Sequence, residues 1–191
     1  MKQTLCDFFY LCVKLKCMLV AAQKKKENIS EYLLYMYQVE DLIRANGFDL
    51  NRIDETIIQK FDVEYGMKRE MREWYKGLID RMQSQGIEKA GHMDFLRETA
   101  GELHELHLSL MHEPGRQSYQ DEFDRARPQL EALRMRSGHT SENDVQLALN
   151  GLYGLLILRI SGDEVSEVTQ EAFKPIIRWM RSLSFHYHGK S

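Results

Sequence analysis

Apolar residues recur every three or four positions along almost the whole chain, and a glycine follows many of these runs. This spacing places apolar side chains on one face of an α-helix. Gly47, Gly86, Gly138 and Gly162 stand where a helix would end, a position that favours glycine. No segment alternates apolar and polar residues for long, so no sheet is expected. The pattern predicts an all-α, single-domain bundle of six or seven helices.

The seven predicted helices follow from these runs and their stops. They cover about 27–45, 51–61, 64–85, 91–112, 118–135, 141–160 and 166–187. Pro128 lies inside the fifth, where it predicts a kink or a division, and Pro175 predicts a kink in the seventh.

The predicted helix 141–160 is apolar on nearly every side. It is too short and too polar to span a membrane, so we expect it at the centre of the bundle. Ala148, Gly151 and Gly154 recur on it at every third position, and such small residues would let a neighbouring helix approach closely.

The first 17 residues differ in character from the rest of the chain. They hold its three cysteines, Cys6, Cys12 and Cys17. A signal peptide needs an unbroken apolar stretch, which Asp7 and Lys14 interrupt here. A start codon assigned too early, with Met18 as the true first residue, is therefore favoured over a targeting segment, and residues 18–191 are predicted to form the domain. The absence of cysteine after position 17 fits a cytoplasmic protein.

Charge and motifs exclude several classes of function. The formal net charge is -3, and without residues 1–17 it becomes 23 basic minus 28 acidic groups, or -5. No basic field is present to hold nucleic acid or an anionic membrane, so neither partner is expected. The sequence contains no glycine-rich phosphate loop, serine elbow or catalytic cysteine motif. We therefore predict no cofactor, and favour a non-enzymatic protein.

The segment MLVAAQKKKENISEYLLYMYQVEDLIRANGFDL, which begins at Met18, resembles the N-terminal block of a bacterial all-helical family known only as a domain of unknown function. The similarity continues through EMREWYKGLIDRM, ELHELHLSL and LALNGLYGLLILR, and covers about residues 18–188. This resemblance implies an all-helical fold over that range. It implies no chemistry, because the family has no assigned activity.

Glu40 is a carboxylate on an apolar helix face. At 100° per residue it shares an arc with Ile29, Tyr32, Leu33, Met36, Val39 and Ile43. A carboxylate on a core face is costly unless it is paired, and Arg44, one turn further on, is the nearest local partner. The favoured interpretation is a structural ion pair. The alternative is an acid held in a pocket for ligand binding or proton transfer.

Two histidines raise a similar choice on the predicted helix 91–112. His107 falls in the arc of Leu96, Leu103, Leu106 and Leu110, and His104 lies at its edge. One interpretation is half of a metal site, completed by a carboxylate such as Glu40 from another helix. The residue three positions before His104 is glycine, so the Glu-x-x-His pair of helical metal proteins is absent. A core histidine is favoured, and no metal is predicted.

The first predicted helix also carries apolar residues on its far side, Leu34, Tyr35 and Leu42. These predict either a second packing layer or a homodimer through this face. The expected function is a cytoplasmic interaction or structural protein that can self-associate. The alternative is a small-molecule or metal-binding bundle with a pocket at Glu40, Arg44, His104 and His107. Convergence of those four side chains on one cavity would favour the alternative.

Overall fold

The computed structural model describes residues 17–137 and 143–189, which form eight α-helices and one short 3₁₀ helix. The helices are α1 (Cys17–Glu27), α2 (Ile29–Ala45), α3 (Leu50–Thr56), α4 (Tyr65–Ser84), α5 (Asp94–His112), α6 (Gln117–Ser137), α7 (Asp144–Ile160) and α8 (Glu167–His188), with the 3₁₀ helix at Ile58–Lys60 between α3 and α4. No strand occurs in these two ranges. The all-α prediction is confirmed, but the predicted count of six or seven helices is wrong.

The additional helix is α1, which ends where Asn28 starts a new one. Asn28 has extended backbone angles (φ -155°, ψ 102°), and its side-chain oxygen accepts hydrogen bonds from the backbone N–H groups of Ser30 and Glu31. This is an N-cap, which satisfies donors that have no partner inside the helix. The pattern missed α1 because its apolar residues are grouped at its start instead of recurring with helical spacing.

Neither proline divides its helix. Pro128 lies inside α6 and Pro175 inside α8, and both helices are continuous. Pro128 is exposed, while Phe123, Ala126 and Leu130 on the same helix are buried. Packing of these buried neighbours holds the helix together where proline removes one backbone hydrogen bond. The possible division at Pro128 is therefore wrong.

Four helices, α2, α5, α7 and α8, each pack against the other three and form the centre of the bundle. The helix α6 packs on α5, α7 and α8, and α1 packs on α2 and α4. The buried residues of α7 are Val145, Leu147, Ala148, Leu149, Leu152 and Leu155. The predicted central helix is thus in the core, but it shares that place with three others.

Several predictions lie outside the described residues. These are the predictions on residues 1–16, including the early start, the targeting alternative and the positions of Cys6 and Cys12. The predicted helix stop at Gly138 and the helix start near Ser141 also lie outside them. Among the helices in 17–137 and 143–189, none has the length and apolar character needed to cross a membrane.

Candidate functional site

Glu40 is fully buried, and its carboxylate joins α2 to the start of α5. Nδ1 of His92 donates to Oε2 at 2.6 Å, and the backbone N–H of Met93 donates to Oε1 at 2.7 Å. Met93 directly precedes α5, so the negative charge lies at the N-terminal end of that helix, where free N–H groups and the helix dipole favour it. The ring of His92 stacks on Tyr37 with centroids 3.6 Å apart. The arrangement gives a buried carboxylate two donors.

Arg44 does not pair with Glu40, so the partner predicted from local spacing is wrong. Its guanidinium binds Asp41 at 2.8 Å and donates to the backbone carbonyls of Ile87, at 3.1 Å, and Gly91. Arg44 therefore holds the loop between α4 and α5, and Glu40 binds the end of the same loop. Local spacing could not indicate His92 as the partner, because 52 positions separate it from Glu40.

A tyrosine on α7 completes this cluster. The hydroxyl of Tyr153 donates to Asp41 at 2.5 Å and lies 3.3 Å from the backbone carbonyl of Tyr37. Burial raises the pKa of Tyr153, and the hydrogen bond to the negatively charged Asp41 raises this pKa further. Tyr153 thus stays a neutral hydrogen-bond donor and connects α7 to α2.

His107 belongs to a second, separate cluster at the centre of α5, α6 and α8. Its Nδ1 lies 2.7 Å from the hydroxyl of Tyr119, which also accepts a hydrogen bond from Nε1 of Trp179 at 3.0 Å. Burial lowers the pKa of His107 to about 4. The imidazole is therefore neutral near pH 7, and Tyr119 can donate to Nδ1 while accepting from Trp179. His107 is a core histidine, as the favoured interpretation predicted.

His104 does not complete a metal site with His107. The two rings lie 6.4 Å apart, and Nδ1 of His104 is buried with no hydrogen-bond partner among the described residues. Within those residues, no group of three or more His, Cys, Asp or Glu side chains is placed to hold a metal ion. The metal half-site considered from sequence is thus not assembled by the part of the chain that is described.

The four candidate residues lie near opposite ends of α5: Glu40 and Arg44, which belong to α2, contact the loop before it, and His104 and His107 lie in its C-terminal half. Glu40 binds Met93, just before the helix begins, whereas His107 lies near its other end. At 1.5 Å per residue, positions 93 and 107 are about 20 Å apart along the helix axis. The structure brings Glu40 and Arg44 to one loop and His104 near His107, but it does not bring the two pairs together.

The far side of α2 is covered within the chain. Tyr35 is buried, and Leu34 and Leu42 are half-buried and pack against the core. This is the second packing layer that the sequence left open beside a homodimer. The homodimer through these three residues stays a prediction.

The largest departure from the expected burial is at the junction of α7 and α8. From 156 to 175 no residue is buried, although Leu155 before this stretch and Ile176 after it both are. We call residues 156–175 the hairpin tip. Ile157 is 39% exposed, Leu158 46% and Val168 80%. The helix predicted at 141–160 was expected at the buried centre of the bundle, and its C-terminal end is exposed.

One face of α7 is covered by neighbouring helices in its N-terminal part and is exposed at its C-terminal end. Leu147, Gly151, Gly154 and Leu158 lie along this face at helical spacing. Leu147 is buried, and a Cβ at Gly151 would clash with Leu133 of α6 and lie 3.3 Å from Phe173 of α8. A Cβ at Gly154 would have no described atom within 4 Å. The close helix approach predicted at small residues thus occurs at Gly151. The side chains of α6 and α8 that cover this face do not extend to Gly154.

Charged groups of both signs surround the apolar residues of the tip. Arg159, Glu164 and Glu167 form no side-chain hydrogen bond or ion pair with any residue that the structure describes. By contrast, Lys174 pairs with Glu171. With two basic residues (159 and 174) and four acidic residues (163, 164, 167 and 171), the formal charge of the tip is -2.

The fold and this surface define an all-helical protein with a four-helix centre and a hairpin tip that exposes three apolar side chains. The chain belongs to the family described as Domain of unknown function (DUF4924), whose model matches residues 18–191. The resemblance to an all-helical family known as a domain of unknown function is thereby confirmed, while its bacterial origin stays a prediction. Comparison with curated proteins gives no match, and comparison with solved structures gives none either.

Proposed function

We propose that this protein is a non-enzymatic interaction module that binds a partner protein through the hairpin tip. The observation that supports this proposal is the stretch 156–175, where twenty consecutive residues contain no buried side chain although Ile157, Leu158 and Val168 are apolar and exposed. Apolar surface in water is unfavourable, and a contiguous exposed patch with a polar rim is typical of an interaction surface.

The position of the exposed apolar residues favours this surface over others. Ile157, Leu158 and Val168 lie on the two arms of one hairpin. The other large exposed hydrophobic residues are spread over five different helices: Leu19, Tyr65, Leu108, Met135 and Phe185. Single exposed hydrophobic residues are common on protein surfaces and need no partner. Three that flank one helix junction are less readily explained without one.

The alternative function, a ligand-binding pocket at Glu40, Arg44, His104 and His107, has less support. Glu40 and Arg44 are engaged in hydrogen bonds that fix the loop before α5, and His107 is bonded to Tyr119. The two pairs are also separated by about 20 Å along α5. Such bonds suit a structural role for these side chains.

We further propose that the protein works in the cytoplasm of a bacterium. The support is the cysteine-free sequence after position 17 and the bacterial family that the chain resembles. Fractionation of cells that produce the tagged chain tests this location, and recovery in the periplasm or the medium would contradict it.

The interaction through the tip can be tested in cells with a photo-crosslinking amino acid at position 158. The matched control places the same amino acid at Tyr65, which is 82% exposed on α4 and remote in sequence from the tip. We expect a discrete crosslinked product for position 158 and none for position 65. Ile157→Asp in the same chain should remove this product. Equal crosslinking at both positions would contradict the proposal.

A further inference from the structure

We infer that the partner bound by the hairpin tip is a second copy of the same chain, related to the first by a twofold axis. This inference rests on the proposed function of the tip. Two features of the described residues support it: the extent of the surface and the charges that it leaves unpaired.

The extent of the tip suits a symmetric dimer. Each copy has twenty residues in the tip, thirteen of them exposed and seven half-buried, which approaches the roughly 20–30 residues per side that stable interfaces typically use. Two helical hairpins that pack face to face form a four-helix bundle, in which each buries the apolar face of the other. Ile157, Leu158 and Val168 would lie at the centre of such a contact, and the charged residues around them would form its rim.

The tip has a formal charge of -2 but offers unpaired charged groups of both signs. Arg159 is on α7, whereas Glu164 is in the loop and Glu167 opens α8; none of them has a partner among the described residues. A twofold axis brings one surface patch against the same patch on the other copy, so residues of the two arms can face each other. Arg159 of one copy can then pair with Glu164 or Glu167 of the other. A patch that offers both signs, each without a partner, fits its own copy.

A membrane surface fits this patch less well. The tip carries a formal charge of -2, with its acidic residues next to the exposed aliphatic ones. Anionic headgroups would repel these carboxylates, whereas segments that bind such membranes are rich in Lys and Arg. The charge therefore favours a protein partner of mixed sign.

Gly154 gives a way to block the contact without disturbing the core. A Cβ at this position meets no described atom within 4 Å, and glycine is a weak helix former. Gly154→Arg should therefore leave the monomer folded while its long side chain fills the space next to Leu158. We expect this variant to prevent self-association.

The central experiment is sedimentation of the full chain from about 1 to 100 µM, a range that detects a dimer with micromolar Kd. We expect the unmodified chain to dimerise, and Arg159→Glu alone to raise Kd roughly tenfold because it faces like charges. Glu164→Arg with Glu167→Arg should do the same. A chain that carries all three reversals should recover most of the affinity, since opposite charges face each other again. Lys76→Glu, an exposed reversal on α4, is the matched control and should leave Kd unchanged. Circular dichroism checks that every variant is helical.

The outcomes separate this inference from the proposed function. If Gly154→Arg, Arg159→Glu and the Glu164→Arg, Glu167→Arg pair all left dimerisation intact, self-association would use another surface and the inference would be overturned. A chain that stays monomeric while position 158 crosslinks a different protein overturns the inference but leaves the proposed function standing. A monomer that crosslinks nothing specific at 158 overturns both. Co-sedimentation of the monomer with anionic vesicles, lost in Ile157→Asp, would replace the protein partner with a membrane.

Discussion

The carboxylate of Glu40 lies 2.6 Å from Nδ1 of His92, although 52 positions separate the two residues along the chain. Glu40 is on the core face of α2, and His92 is in the loop that leads into α5. Their hydrogen bond, together with the one from Met93 to the same carboxylate, fixes the start of α5 against α2.

The first prediction concerns the partner of Glu40. We expect Glu40→Gln to lower the free energy of unfolding by about 2 kcal/mol, because it weakens two hydrogen bonds to a buried carboxylate. Double-mutant cycles with His92→Phe and with Arg44→Met measure each coupling by urea unfolding. His92→Phe keeps a ring to stack on Tyr37 and removes the donor.

The coupling of Glu40 with His92 should exceed its coupling with Arg44 by about 1 kcal/mol or more, since direct partners couple most strongly. Arg44→Met is the matched control because Arg44 binds the same loop without touching the carboxylate. If the Arg44 cycle gave the larger coupling, the pairing described here would be incorrect.

The second prediction concerns the pH dependence of stability at His107. The pKa of this buried imidazole is lowered from 6.5 to about 4 in the folded protein. Between these two values the unfolded chain binds a proton at His107 that the folded chain does not bind. The free energy of unfolding should therefore fall as the pH is lowered from 6.5 towards 4, by up to about 3 kcal/mol from this residue.

The variant that tests this is His107→Asn, whose side-chain oxygen can accept the hydrogen bond from Tyr119 but does not titrate. Urea unfolding from pH 4 to 7 should show a weaker dependence on pH in this variant. His112→Asn removes an exposed histidine from the same helix and should keep the original dependence. Unchanged pH dependence in His107→Asn would refute the prediction.

The third prediction compares two tyrosine hydroxyls. Tyr119→Phe leaves both Nδ1 of His107 and Nε1 of Trp179 buried without their hydrogen-bond partner. We expect a loss of about 2–4 kcal/mol of unfolding free energy, the cost of leaving two buried polar atoms unsatisfied.

The matched control is Tyr153→Phe. The partner of this hydroxyl, Asp41, is exposed and can bind water in its place. The expected loss is about 1 kcal/mol or less. Equal losses in the two variants, measured by chemical denaturation, would show that the bonds to Tyr119 contribute less than their burial implies.

The fourth prediction compares two helical glycines. Gly101→Ala in α5 should raise the free energy of unfolding by about 0.5–1 kcal/mol, because alanine is the better helix former and a Cβ there meets nothing within 4 Å. Gly151→Ala gains the same helix propensity, but its methyl group would push Leu133 aside and crowd Phe173.

We therefore expect Gly151→Ala to be less stable than Gly101→Ala by about 1–3 kcal/mol, the usual cost of overpacking. Thermal or urea unfolding of the two variants measures this difference. A gain in Gly151→Ala as large as that in Gly101→Ala would mean that α6 and α8 adjust to the methyl group without cost.

The angular position of each side chain around its own helix accounts for the core residues that could be predicted from the sequence. The arc of α2 that was predicted to be apolar is buried, and Glu40 is buried within it. His107 is likewise buried on the predicted face of α5. The angle of a side chain around its own helix follows from its position in the sequence, so no knowledge of other helices was needed.

The angular position around a helix could not predict which residue contacts a side chain when that residue comes from a distant part of the chain. Arg44 is one turn from Glu40, yet its guanidinium turns to the carbonyls of Ile87 and Gly91, and a histidine from the distant loop reaches the carboxylate. The apolar far side of α2 was consistent with a second packing layer or a dimer, and only the structure shows that the chain itself half-buries Leu34 and Leu42.

The sequence by itself determined that this protein is all-helical, approximately where most of its helices begin and end, and which side of α2 and α5 is buried. Only the tertiary structure decided that His92 pairs with Glu40, that Glu40 and His107 lie far apart, and that α7 is covered at Gly151 but open at Gly154. The physical reason is that spacing along a helix fixes the direction of each side chain. Which helix or loop meets that side chain, and where along the axis the contact ends, depends on how all the helices pack together.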